Sequence, residues 1–252
     1  MAVALQALVA HCNERLSIPG FPDYPGALNG LQAANNGTVT RIGAAVDAGL
    51  EPFGKARDAG VDFLIVHHGM FWDAPRPLTG AMRERVKLLL DANIALYSAH
   101  LPLDAHPEIG NNALLVRELG MEPARAFYEF EGRKVGAIAR HSGTRSTLRA
   151  KLEALFPGGV IALEFGSAEP REVAVITGGG YGVGGELAAE GVDTFITGEL
   201  KQHWFNRAQE ERLNVYACGH YATETFGVRA LASELSAKFG LPWEFIATEC
   251  PL

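Results

Sequence analysis

Val61-Asp62-Phe63-Leu64-Ile65-Val66-His67-His68-Gly69-Met70-Phe71-Trp72 runs from an apolar stretch into two adjacent histidines and a glycine. A short apolar run of this length, rich in β-branched and aromatic residues, reads as a buried strand. Neighbouring strand residues point to opposite faces. A regular strand therefore would not aim both imidazoles at one small target. Gly69 permits a sharp turn, and such a turn is expected to bring both rings to one cleft.

Around this strand, strands and helices alternate. Ile42–Val46 reads as a second buried strand, a short helix ends near Gly60, and a helix over about 81–92 leads to a strand at Ile94–Tyr97. This alternation indicates parallel βαβ units. The pattern then recurs. Gly60-Val61-Asp62-Phe63-Leu64-Ile65-Val66 is answered by Gly191-Val192-Asp193-Thr194-Phe195-Ile196-Thr197. Ile94–Ala99 runs into His100-Leu101-Pro102-Leu103-Asp104, and Asn214–Gly219 runs into His220-Tyr221-Ala222-Thr223-Glu224. Each copy continues through a helix to an aromatic-rich strand, Phe127–Phe130 or Trp243–Ile246. Self-similarity at this scale indicates an internal duplication. The expected fold is α/β, with a first α/β domain over 1–126 and a second over 127–252. The second includes an inserted segment at about 131–171. There Thr144 or Ser146 is expected to cap a helix through Leu155, between strands at Lys134–Arg140 and Val160–Phe165.

Composition narrows the function. The 252 residues carry a formal net charge of -7 without a run of Lys and Arg, which disfavours nucleic-acid binding. No apolar run approaches a membrane span, and the N-terminus lacks signal-peptide character. Three widely spaced cysteines, Cys12, Cys218 and Cys250, form no CxxC pair and fit reduced thiols in a cytoplasm.

The chemistry-bearing residues fall at strand C-termini, where open α/β sheets bind ligands. They are His67 and His68, His100 with Asp104, and His220 with Glu224. Two repeats facing one another would gather them in an interdomain cleft. Imidazole and carboxylate donors together suit Zn, Mn, Fe, Co or Ni. So many donors exceed one tetrahedral site, and paired ions ~3.5–4 Å apart are a common hydrolytic arrangement. Two divalent metal ions per chain are therefore expected. His11, His106 and His141 lack this context and read as solvent-facing or capping residues. His203 is a candidate substrate contact. Trp72, Trp204 and Phe71 read as core or rim packing.

Gly180, Gly182 and Gly185 formally satisfy GxGxxG, with Glu199 about where a ribose-binding acid would lie. The equivalent loop of the first repeat, Asp47-Ala48-Gly49-Leu50, lacks the pattern. The glycines therefore read as a tight turn, and no organic cofactor is expected. A phosphate at the following helix N-terminus is the stronger alternative. Neither GxxxxGK[ST] nor GxSxG occurs.

At these residues the chain resembles the YbgI or NIF-three-like dinuclear-metal-centre family, often labelled GTP cyclohydrolase I type 2 homologues. The resemblance rests on Asn29-Gly30-Leu31-Gln32, His67-His68-Gly69-Met70-Phe71-Trp72 and His100–Pro107. It continues in Gly110-Asn111-Asn112, Thr197-Gly198-Glu199 and Gly219–Glu224. These motifs span almost the whole chain in order. Ala27-Leu28 departs from the acid-Asn pair usual before Asn29, and Val46-Asp47-Ala48 from a small-Leu-Asp pattern. Neither departure is expected to touch the ligands. The resemblance implies two α/β domains with the metal site between them, and a ring-shaped homohexamer. It implies the ligands His67, His68, Asp104, His220 and Glu224, with Glu224 bridging. His100 is then a residue facing the ligands from outside or facing substrate.

The resulting expectation is a cytoplasmic, metal-dependent hydrolase of a small polar or nucleotide-like substrate, with His100 or Glu199 moving protons. GTP cyclohydrolase activity would be one special case. The rival expectation is a non-enzymatic metal-binding ring that acts as a scaffold or regulatory partner. No membrane or nucleic-acid partner is expected.

Overall fold

The computed structural model of the protein describes residues 2–72, 76–248 and 250–252. In chain order the first elements are β1 (Val3–Ala4), α1 (Leu5–Arg15), β2 (Gly30–Ala33), β3 (Thr38–Val39), β4 (Ile42–Asp47), α2 (Leu50–Asp58), β5 (Phe63–His68), α3 (Gly80–Asp91) and β6 (Ala95–Ser98). Then come α4 (Leu101–Asp104), α5 (Asn111–Glu118), β7 (Glu122–Phe130), β8 (Arg133–Arg140), α6 (Arg145–Leu155), β9 (Ile161–Glu164) and β10 (Glu172–Ile176). After a 3-10 turn at Gly180–Gly182 follow α7 (Glu186–Ala189), β11 (Thr194–Thr197), α8 (Trp204–Glu210), β12 (Asn214–Ala217), α9 (His220–Thr223), α10 (Thr225–Phe239) and β13 (Trp243–Phe245). The chain divides into two compact units. Unit 1 is Met1–Leu103 with Gly227–Glu249, and unit 2 is Asp104–Phe226 with Cys250–Leu252.

Unit 1 is built on a five-stranded sheet of order β13-β4-β5-β6-β2. β4, β5 and β6 are parallel neighbours, β13 adds in parallel beside β4, and β2 closes the other edge antiparallel. The run Phe63–Val66 of β5 is apolar throughout because both sheet faces are covered. Leu64 and Val66 pack with Phe53 of α2 and Leu89 of α3. On the alternate positions, Phe63 lies with its ring 6.0 Å from that of Tyr97, whose hydroxyl donates to Asn13 of α1. Burying each such large side chain contributes roughly 1.5–3 kcal/mol. That makes this strand an anchor for the polar residues at its end.

Unit 2 is built on a six-stranded sheet of order β7-β8-β10-β11-β12-β9. β10, β11 and β12 are parallel and consecutive, as β4, β5 and β6 are in unit 1. Val173, Val175, Ile196 and Tyr216 face Leu115, Leu148 and Leu152 of α5 and α6. The alternate residues Ala174, Ile176, Phe195 and Val215 face Leu187, Trp204 and Ala208 of α7 and α8. The inserted segment supplies β8, α6 and β9, and Thr144 caps α6 by accepting from the Thr147 amide.

The compact units do not coincide with the halves 1–126 and 127–252. The elements that follow β6 and β12 do not stay with the sheets of those strands. The helix and strand after β6, α5 and β7, pack into the sheet of unit 2. Most of α10, together with β13, returns to unit 1, where β13 pairs with β4. A periodic sequence pattern reports which face of an element is apolar, not which sheet covers it. No helix of the described residues is long and apolar enough to cross a membrane.

Candidate metal centre

In unit 1, three parallel strands end side by side, so residues at their C-termini share one edge of the sheet. β4 ends on Asp47, β5 on His67 and His68, and β6 leads through Ala99 to His100. The two adjacent histidines are both inside β5, and their ring centroids are only 4.9 Å apart. Convergence therefore does not come from a turn after them, as the sequence suggested. Each ring is swung by its own acceptor. Nδ1 of His67 lies 2.9 Å from the Ala99 carbonyl on the β6 side. Nδ1 of His68 lies 2.8 Å from Asp47 Oδ1 on the β4 side. Gly69 serves space rather than backbone freedom: a Cβ there would lie 2.2 Å from Gln32 Nε2 and 2.7 Å from Ser98 Oγ.

His100 joins the pair, with ring centroids 5.0 Å from His67 and 5.6 Å from His68. Its Nδ1 lies 2.8 Å from Asp23 Oδ1. The other Asp23 oxygen accepts from Asn29 Nδ2 and from the Leu101 amide. Burial works against the Asp23 carboxylate, but the bonds from His100, Asn29 and Tyr24 outweigh it and lower its pKa. A carbonyl or carboxylate can only accept, so each of the three Nδ1 atoms carries a proton, and in the neutral ring Nε2 is then the lone-pair nitrogen. One ligand nitrogen from each ring falls within 4.8 Å of the others. This donor set fits a divalent transition metal, with ligating histidines anchored through their second nitrogen.

Unit 2 repeats the placement at its own strand ends. β10 runs into Thr177-Gly178, β11 into Gly198-Glu199 and β12 into Gly219-His220. Asp104 is buried. Its Oδ1 accepts from Asn111 Nδ2 at 2.8 Å and lies 3.5 Å from Thr177 Oγ1. His220 Nε2 lies 3.2 Å from Oε1 of buried Glu224. Its Nδ1 is 3.6 Å from Glu199 Oε2, an ion-pair rather than a hydrogen-bond distance. Burial alone would lower the His220 pKa, but the Glu224 and Glu199 carboxylates outweigh it and raise it. Gly178 has φ +64, and a Cβ there would come within 2.0 Å of Glu224 Oε1. The chain thus leaves a fitted space for that carboxylate.

Each candidate therefore has a place. His67, His68 and His100 cluster in unit 1, while in unit 2 Glu199 and His220 stand at strand ends, Asp104 closes α4 and Glu224 follows α9. Asp47 and Asp23 went unrecognised in the sequence. The departure at Val46-Asp47-Ala48 was expected to stay clear of the ligands, yet Asp47 bonds His68 directly. No motif spacing signals either carboxylate, because each reaches its histidine across a tertiary contact. The motif Asn29–Gln32 shows its use here as well. Asn29 Oδ1 accepts from the His100 amide, and Gln32 Oε1 accepts from the Met70 amide.

The remaining candidates separate from this cluster. His106 is buried and accepts through Nδ1 from the amides of Glu108 and Ile109, a capping role. His11 pairs with Glu234. His141 is buried rather than solvent-facing. His203 is exposed beside Trp204. The glycine loop after β10 forms a 3-10 turn and then α7, only four residues long. Glu186 Oε2 accepts from the Gly184 amide at that helix start, so a carboxylate stands where a phosphate was considered. Burial pushes the Cys218 thiol up to about 12, which leaves it inert as a nucleophile.

The chain matches the family described as Duf34/NIF3 (NGG1p interacting factor 3) over residues 4–251. A protein of Deinococcus radiodurans named GTP cyclohydrolase 1 type 2 homolog is 41% identical over 244 residues, covering 95% of this chain and 91% of that protein. The crystal structure of TTHA1606 from Thermus thermophilus is 40% identical with a TM-score of 0.87, covering 99% of this chain and 100% of that one. A structure described as protein ybgI, of unknown function, is 35% identical with a TM-score of 0.92 over the same shares.

Proposed function

The chain belongs to the Duf34/NIF3 family, and from that premise we propose that it is a dinuclear divalent-metal hydrolase. Its ligands are His67, His68, Asp104, His220 and Glu224, and its substrate is small and polar or nucleotide-like. The observation that carries this reading is the shared tautomer of the histidines in unit 1. A cluster of imidazoles held together only by packing would have no reason to commit every Nδ1 to a protein acceptor. The commitment of His67 and His68 turns their Nε2 atoms to the cluster, the arrangement of histidines prepared for metal, and that of His100 frees its Nε2 to act on a proton. The curated relative's name adds weight to a nucleotide-like substrate.

Bound divalent ions would supply Lewis acidity for hydrolysis. The protein's own residues do the rest. Asp104 is steered by Asn111, and Glu224 sits in the space left by Gly178. His100 stays fixed by Asp23, with Nε2 able to accept a proton from attacking water and return it to the leaving group. Glu199 keeps the Nδ1 side of His220 occupied. The assembly that goes with this reading is a homohexamer working in the cytoplasm.

The test is metal analysis of protein purified without chelators. Close to two divalent ions per chain are expected. His68→Ala and Glu224→Ala should each lower that count, and a full complement in both variants would remove the ligand assignment. Turnover is then sought on GTP, other nucleotides and simple phosphate esters with added Mn or Zn. Identical backgrounds for metal-loaded and metal-free protein on all of them would favour the scaffold over the enzyme.

A further inference from the structure

Among the three clustered histidines of unit 1, each Nδ1 has a different kind of holder. His67 uses the neutral Ala99 carbonyl. His100 uses Asp23, whose side chain is only 4% exposed and also bonds Asn29 and Leu101. His68 uses Asp47, whose side chain is 44% exposed. Asp47 and His68 are register partners on the parallel strands β4 and β5. The Ala48 amide also donates to the His68 carbonyl at 2.8 Å. The backbone thus places the two residues side by side without help from the carboxylate. Among the described residues, the carboxylate itself makes one hydrogen bond, to His68 Nδ1.

We propose that Asp47 is a positioning residue for metal uptake: it holds His68 as the Nδ1-protonated tautomer and aims Nε2 into the cluster. The inference rests on the metal-centre reading above. A half-exposed carboxylate adds little to stability, so the fold itself does not need Asp47. A carboxylate on the far nitrogen of a ligating imidazole fixes its tautomer and strengthens it as a donor. Losing such a partner typically weakens metal affinity by about 10–100-fold. The charge matters as well as the bond, which separates Asp47 from the neutral holder of His67.

The experiment measures Co2+ and Zn2+ affinity by competition with a chromophoric chelator for wild type, Asp47→Asn and Asp47→Ala. Urea unfolding of the metal-free proteins is followed alongside. Asp47→Ala should bind ~10–100-fold more weakly. Asp47→Asn should fall between, because its amide oxygen still accepts from Nδ1 but carries no charge. Metal-free unfolding midpoints should match wild type. Wild-type affinity in Asp47→Ala, with wild type itself loaded, overturns the role of Asp47 and leaves the metal reading standing. A drop in metal-free stability that accounts for the whole affinity loss also overturns it, since that marks a structural residue. A wild type that takes up no metal removes both readings together.

Discussion

Asp23 Oδ1 holds His100 Nδ1 at 2.8 Å across 77 residues of sequence. The pair is buried, with side chains 4% and 11% exposed. It ties the irregular segment before β2 to the turn after β6. A carboxylate in a stretch without regular structure thus decides which nitrogen of a candidate proton carrier faces the other histidines.

Removing that hold should separate binding from turnover. His100→Ala should retain the bound metal yet lose turnover by ~10²-fold or more, the scale for a positioned acid or base. Asp104→Ala should lose metal and turnover together. Metal content and rate, measured on the same preparations, check the division. Equal metal loss in both would make His100 a ligand.

Gly178 should be intolerant in a specific way. An alanine there must adopt a left-handed φ, costing roughly 1–2 kcal/mol, and must displace the Glu224 carboxylate. Gly178→Ala should therefore lower both the unfolding midpoint and the metal count. Gly185→Ala is the control: its φ is -69 and a Cβ there meets nothing within 4 Å. That variant should be close to neutral in both measurements.

Acid should act through Glu234. Burial works against its carboxylate, but hydrogen bonds from His11 and Arg15 outweigh it and lower the pKa below the ordinary 4.5. A depressed folded pKa gives stability that is present above the unfolded value and is lost as pH falls through the folded one. The stability gap between wild type and Glu234→Gln should be present above the unfolded pKa and be lost as pH falls through the folded one. Urea midpoints of the metal-free proteins across that range measure the gap. A gap that widens toward acid would reverse the assignment.

Assembly is checked by native mass. Sedimentation over a wide concentration range should give about six chains for the homohexamer proposed here. With -7 per chain, charge accumulates on assembly, so dissociation should be easiest at low salt, where repulsion is least screened. A monomer at every concentration would contradict the proposal.

The sequence by itself determined the βα units and the polar residues at their ends. Phe63–Val66 is apolar on both faces, so it must be an internal parallel strand, and the residues after it must emerge at the C-terminal edge. That logic reached His67, His68, His100, Asp104, His220 and Glu224, because each lies within a few residues of a strand end. It narrowed the helix cap to Thr144 or Ser146 for the same local reason, and the structure shows Thr144. Only the tertiary structure decided where α10 and β13 belong. Their apolar faces would suit either sheet, and the pairing of Trp243 with Ile42 is a contact across the chain. Only the tertiary structure could supply Asp47 and Asp23 as the partners of His68 and His100. A hydrogen bond between distant residues leaves no periodicity in the chain. The same holds for Gly69, which read as a hinge and is a spacer: the atoms that exclude its Cβ come from Gln32 and Ser98, on other strands.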